Sequence, residues 1–266
     1  MTEAIKKIVV CLKPVPAAAA VKLDAKTYNM IREGQAAMLN PLDAYALEEA
    51  LRLQEKTGCS LTLLSMGIRS AEALLREALA LGADGAVLLS DRAFAGADTL
   101  ATSYTLHKGL EKLGGCDLLL CGKQAADGDT AQVGPALAQR LGWPHLTDVS
   151  KIEQICSDSL ICLRLTDDGY ERTQIMLPGV ITVVKEINTP RLPSIKGLKM
   201  ADKARIQILD AKDIAADIKL TGSAGSATRV ISTFVPRRQR EVEIIAGELP
   251  RKVEQLLIKL QQKELL

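Results

Sequence analysis

Four short apolar runs separated by helix-period segments constrain this chain more than any other feature. Ile8–Lys13 (IVVCLK), Leu61–Ser65, Ala86–Leu89 and Asp117–Cys121 (DLLLC) have strand length and are apolar throughout rather than at alternate positions. That pattern fits strands buried on two faces. Amphipathic segments stand between them. Leu42–Lys56 opens on Asn40-Pro41, a cap followed by a first-turn proline, and stops at Gly58. A second runs from Ser70 to about Leu81 and ends at Gly82, a third spans Asp98–Leu113 with Asp98 as its cap, and a fourth spans Thr130–Leu141. Strands and helices repeating at this spacing predict right-handed crossovers in a parallel, doubly wound α/β sheet.

Beyond Trp143-Pro144 the texture changes. Leu160–Arg164, Arg172–Leu177 and Val180–Glu186 read as strands, with Asp167-Asp168-Gly169 as a hairpin turn, so an antiparallel extension of the sheet is expected. Asn188–Ala204 reads as irregular and basic, Thr221–Ala227 (TGSAGSA) as a flexible link, and Pro250–Leu265 as a last helix. Its stripe of Val253, Leu256, Leu257 and Leu260 serves either a core or a partner. The expected organisation is therefore a domain over residues 1–220 and a C-terminal arm over 221–266. Within the first, 1–145 carries the parallel units and 146–220 the strand extension.

Charge and cysteine usage narrow the function classes. Lys plus Arg total 34 against 32 acids, a net charge of +2, which lacks the basic excess of nucleic-acid or anionic-membrane binders. No apolar run is long enough to span a bilayer, and the N-terminus lacks a signal-peptide core, so a cytoplasmic location is expected. The six cysteines form no CxxC and only two histidines, His107 and His145, are present. Neither a metal site nor a Ser-His-Asp or Cys-His arrangement is expected from residues so placed. His107 reads as a surface residue of a helix and His145 as part of a loop.

In open parallel sheets ligands sit beyond the carboxyl ends of the strands, which singles out the loops after Lys13, Ser65, Leu89 and Cys121. Gly122–Pro135, GKQAADGDTAQVGP, is the most informative. Gly122 would let a ligand approach the backbone, Gly128 would allow a left-handed turn, and Asp129 or Thr130 could cap the next helix. Free helix N–H groups with Lys123 make an anion site suited to phosphate. A ligand-free capped turn uses the same residue types, and the local pattern leaves both open. The loop matches neither GxGxxG nor GxxxxGK[ST]. Asp127 and Asp129 suit turn and capping roles rather than acid–base chemistry. Arg237-Arg238-Gln239-Arg240 fits a solvated turn, or a contact with phosphate or an acidic partner surface, equally.

The chain resembles the β subunit of electron transfer flavoproteins. The likeness rests on VVCLKPVP at 9–16, Asn40-Pro41-Leu42-Asp43, ALALGAD at 78–84, LLLCGKQAADGDTAQVGP at 118–135, LGWP at 141–144, LPGVIT at 177–182, PRLPSIKG at 190–197 and FVPRRQR at 234–240. The family's pattern around Arg164, Asp167, Asp168 and Glu171 is also present, with Cys162 and Thr173 as departures.

The resemblance implies a heterodimer with an α subunit and an adenine nucleotide on this chain. In simple carriers of the family the nucleotide is a structural AMP; in electron-bifurcating members it is an FAD reduced by NADH. DGDTAQVGP and FAGADTLATSYTL (94–106) are similar to the bifurcating type, whose acceptors are ferredoxin or flavodoxin and, through α-subunit FAD, a flavin dehydrogenase. Carried onto this chain, the likeness sets adenine and ribose against Cys11, Asn40, Pro41, Leu42, Asp43 and Met66. It sets the phosphates over Gly122, Lys123, Gln124, Ala125, Asp127, Gly128, Asp129, Thr130, Gln132, Val133 and Gly134. Asp98, Thr99 and Thr102 fall near flavin and nicotinamide. Arg191, Leu192, Pro193, Ser194, Ile195, Lys196 and Gly197 resemble a loop that docks acyl-CoA dehydrogenases, although Lys199-Met200 reverses the usual order. The chain itself is expected to supply no catalytic residue, since the flavin carries the chemistry. Two other classes compete with that reading: a nucleotide-binding regulatory or sensor protein, and a ligand-free scaffold.

Overall fold

A computed structural model describes residues 5–17, 37–232 and 242–266. Arg237, Arg238 and Arg240 lie outside the described residues. The chain divides into two units, Met1–Ile231 and Ser232–Leu266.

The first unit is built on parallel strands, as the apolar runs require. β1 (Lys7–Leu12) lies at the centre, followed by a small antiparallel hairpin of β2 (Pro14–Pro16) and β3 (Ala37–Leu39), and then helix α1 (Pro41–Thr57). β4 (Ser60–Met66), α2 (Ala71–Leu79), β5 (Gly85–Leu89), α3 (Thr99–Lys112), β6 (Leu118–Gly122) and α4 (Val133–Leu141) continue the alternation. β7 (His145–Ile155), β8 (Ser159–Thr166) and β9 (Gly169–Met176) form an antiparallel meander, and β10 (Gly179–Val183) returns beside β6. With β11 (Gln207–Leu209) the sheet reads β11-β5-β4-β1-β6-β10-β7-β8-β9, parallel from β11 to β7 and antiparallel beyond.

Side-chain alternation along β1 sends Ile8, Val10 and Leu12 into one core with α1 and α2, where Leu47, Leu51 and Leu75 pack. Val9 and Cys11 face the opposite core, with Leu106 and Leu110 of α3 and Leu137 of α4. β1 is thus buried on both faces. No helix among the described residues is long and apolar enough to cross a membrane.

Several expectations are corrected. His145 opens β7 instead of lying in a loop, and His107 is half-buried on α3, where burial lowers its pKa. The basic stretch 188–204 contains a helix, α5 (Ile195–Lys203), capped by Ser194 Oγ accepting the Gly197 N–H at 2.9 Å. Thr221–Ala227 is no free link. Gly222–Gly225 forms a short helix, α6, and the Ser223 N–H bonds the Ala95 carbonyl at 2.9 Å. A Cβ on Gly222 would stand 2.2 Å from the Ala93 carbonyl oxygen, so this segment is packed tightly within the first unit.

In the second unit, α7 (Leu249–Gln262) carries Val253, Leu256 and Leu257, each about half-exposed within that unit, and Lys259 pairs with Glu243 at 2.6 Å.

Candidate nucleotide site at the switch of strand order

Strand order reverses at β1. β4 and β5 extend one way, while β6 is added on the other side, leaving a crevice between the loops after β1 and β6. Both loops, and the N-terminus of α1, meet there.

Asn40 and Asp43 hold the three together. Asn40 is not a side-chain cap, contrary to expectation; its amide instead reaches the β6 loop. Nδ2 donates to Asp43 Oδ1 and to the Gln124 carbonyl, both at 2.9 Å, and Oδ1 accepts the Ala126 N–H at 3.0 Å. Asp43 Oδ2 accepts the Lys13 N–H at 2.7 Å, and the carboxylate also accepts the Gly122 N–H. Asp43 is buried, and desolvation pushes its pKa up to about 7 although Asn40, Lys13 and Gly122 all donate to it.

The loop geometry departs from its sequence reading in three places. Gly122 makes room for the protein rather than for a ligand: a Cβ there would lie 2.5 Å from Asp43 Oδ1 and 2.6 Å from the Leu42 carbonyl carbon. The left-handed residues are Asp129 (φ 52°) and Ala131 (φ 53°), not Gly128. Such backbone costs about 1 kcal/mol per non-glycine residue, so the surrounding contacts must hold it in place. Finally, α4 begins at Val133, and neither Asp129 nor Thr130 caps it. Asp129 accepts from the Gln124 amide instead.

Without a cap, the N–H groups of Thr130, Ala131, Gln132, Val133 and Gly134 have no partner among the described residues. Gly134 lets α4 approach β10, since a Cβ would stand 2.4 Å from Thr182 Cγ2. The cations are placed unexpectedly too. Lys123 is turned toward β7, its Nζ 2.6 Å from Asp148 Oδ1, a charge contact that lacks hydrogen-bond geometry. Lys13 instead reaches over the loop to Asp127 Oδ1 at 2.5 Å. A lysine directly after a buried strand is the signal that could have found it.

At neighbouring strand ends, Cys11 is buried and Met66 half-buried. The Cys11 thiol is held well above its usual pKa by its hydrogen bond to Cys121 and by burial, and all six cysteines are free. Asp98 caps α3, accepting the Ala101 N–H at 3.0 Å, and its other oxygen accepts both the N–H and the hydroxyl of Thr228. Thr99 Oγ1 bonds Gln132 Oε1 at 2.8 Å, joining the N-terminal ends of α3 and α4. The Thr102 N–H bonds the Asp98 carbonyl within the first turn.

The 191–197 segment lies away from these loops, farther along α1. Arg191 Nε donates to the buried Glu48 at 2.8 Å, and its guanidinium also meets Glu55. Burial opposes ionisation of Glu48, but Arg191 and Arg52 hold its pKa below the usual value. Asn188 bonds the Tyr45 carbonyl at 3.0 Å. Arg76 donates to the carbonyls of Ala201, Asp202 and Ala204, closing the C-terminal end of α5. These ties leave Leu192, Ile195 and Met200 exposed at 90%, 76% and 64%, an apolar rim on a fixed base. Pro193 and Lys196 are exposed and Gly197 is half-buried against α2, a Cβ there falling 2.1 Å from the Ala80 carbonyl oxygen. Arg191→Ala should lower unfolding free energy by about 1–2 kcal/mol and speed amide exchange across 192–197. Urea unfolding and hydrogen-exchange mass spectrometry measure both; unchanged exchange would show that Arg191 does not hold the segment.

The fold and loops define a parallel α/β protein with a run of amides lacking partners among the described residues at its switch of strand order. The electron transfer flavoprotein domain model matches residues 27–214, and the chain belongs to that family. It is 46% identical to the electron transfer flavoprotein subunit beta of Thermoanaerobacterium thermosaccharolyticum, covering 97% of this chain and 99% of that protein. Subunit CarD of the caffeyl-CoA reductase–Etf complex of Acetobacterium woodii is 45% identical over 98% of this chain and 100% of its own. The acryloyl-CoA reductase electron transfer subunit gamma of Anaerotignum propionicum is 35% identical, with 98% and 100% covered.

Proposed function

We propose that the switch-point site holds FAD and that the chain acts in the cytoplasm as the β subunit of an electron-bifurcating flavoprotein, paired with an α subunit. The flavin, when bound, supplies hydride acceptance from NADH and single-electron delivery to ferredoxin or flavodoxin and, through α-subunit FAD, to a partner dehydrogenase.

The observation that carries this reading is the run of partnerless N–H groups from Thr130 to Gly134 at the N-terminus of α4. Amides left free in this way are suited to the oxygens of a nucleotide's phosphates. Gly128 leaves open space above the loop, its nearest neighbour lying 3.9 Å from where a Cβ would be. Asn40 and Asp43 fix the loop to α1, which pre-organises the amides before a ligand arrives. Cys11, Met66 and the first turn of α1 would flank the adenosine. Asp98, Thr99 and Thr102 would stand on the flavin side. The names of the relatives from Acetobacterium and Anaerotignum support an acyl-CoA-type oxidoreductase as the partner, with the rim of Leu192, Ile195 and Met200 as the docking surface.

The heterodimer, reconstituted with its α subunit and denatured to release its nucleotides, should yield two FAD and no AMP. One FAD with one AMP would overturn the bifurcating assignment and favour a simple carrier. A stable flavin-free homo-oligomer that ignores the α subunit would favour a regulatory protein.

A further inference from the structure

We infer that Lys13 is the cation that meets the phosphate of the bound nucleotide, with Asp127 as its resting partner; this rests on the nucleotide reading above. The backbone of Lys13 is pinned on both sides. Its N–H is held by Asp43 Oδ2 at 2.7 Å, and its carbonyl accepts the Asn40 N–H at 3.0 Å. Its side chain is 39% exposed, so a fixed root carries a stem that can still choose among nearby anions.

The ammonium stands over the loop that bears the free amides. Nζ lies 2.5 Å from Asp127 Oδ1 and 3.9 Å from the point a Cβ on Gly128 would occupy.

Charge accounting gives the pair its purpose. The loop carries Lys123, Asp127 and Asp129, and Lys123 is drawn off to Asp148 on β7. With Lys123 so engaged, Lys13 is the lysine that reaches over the loop itself. Lys13 offsets Asp127 in the unliganded chain and shares its ammonium with a phosphate oxygen when nucleotide binds. Asp127 sets the resting position of the ammonium and prevents it from being released into solvent.

The test uses the intact heterodimer stripped of nucleotide, with FAD, AMP and adenosine titrated by calorimetry. Lys13→Met should weaken whichever of FAD or AMP the wild type binds by roughly ten-fold or more. Adenosine, which has no phosphate, should be held as well as by wild type, and Lys13→Arg should recover most of the loss. Asp127→Asn removes the ion pair but keeps the cation, so phosphate-bearing ligands should bind as tightly or more tightly. If Lys13→Met weakens adenosine equally, or Asp127→Asn weakens FAD or AMP as much as Lys13→Met does, the pair is a structural staple and the inference is overturned while the site reading stands. If wild type binds neither FAD nor AMP, the nucleotide reading itself fails, and this inference with it.

Discussion

Gly122→Ala should unfold at markedly lower urea concentration than wild type and bind no nucleotide. The added methyl would have to enter the 2.5–2.8 Å space already held by Asp43 Oδ1, the Leu42 carbonyl carbon and the Asp43 N–H nitrogen. Two of these are backbone atoms of a 17-residue helix, so no rotamer change relieves the clash. Helix and loop must part, which breaks the hydrogen bonds that Asn40 makes to Gln124 and Ala126. Overpacking of this kind costs about 1–3 kcal/mol, and strained or lost buried hydrogen bonds bring the total to about 3 kcal/mol. Gly128→Ala is the matching control, because nothing but the Lys13 ammonium approaches within 4 Å. A wild-type midpoint for Gly122→Ala would show that α1 does not lean on the loop, and the site described above would be wrong.

Asp43→Ala should cost about as much by another route. It removes the acceptor for the Lys13 N–H, the Asn40 amide and the Gly122 N–H, leaving three donors without it in a buried place. Each such orphan costs about 1–3 kcal/mol, less than additively, for a loss of about 3–4 kcal/mol. The effect should depend on pH. Burial raises the Asp43 pKa to about 7, above an unfolded carboxylate near 4. The folded chain therefore binds this proton more tightly, and stability from this group is fully present below about pH 4 and lost as pH rises through about 7. Measured as unfolding free energy, wild type minus Asp43→Ala should shrink over that window and then level off. A difference that grows with pH would mean that the three donors outweigh desolvation.

The parallel half of the fold was legible because burial on two faces writes continuous apolar runs into the strands. Ile8–Lys13 and Asp117–Cys121 each match an observed strand to within a residue at either end. The Asp98 cap and the Gly58 stop were equally readable, since both act through adjacent backbone. β11 was not legible: three residues take their strand character only from β5 beside them. Nor was α5, whose basic sequence gains a helix from the Ser194 cap and from the reach of Arg76 across from α2. The flexible reading of Thr221–Ala227 failed for the same reason, because small residues suit close packing as well as mobility.

At the candidate site, the sequence by itself determined the loop, its place after a buried strand and the helix that follows. Those features follow from local apolar pattern and glycine placement. Only the tertiary structure decided how the parts are used: Gly122 yields space to α1, Asn40 ties the loop instead of capping a helix, and Lys13 rather than Lys123 stands over it. Each of those roles depends on partners 30 to more than 100 residues away in sequence, such as Asp43 for Lys13 and Asp127 for the same lysine. Chain order carries no record of such distances until the sheet brings the strand ends together.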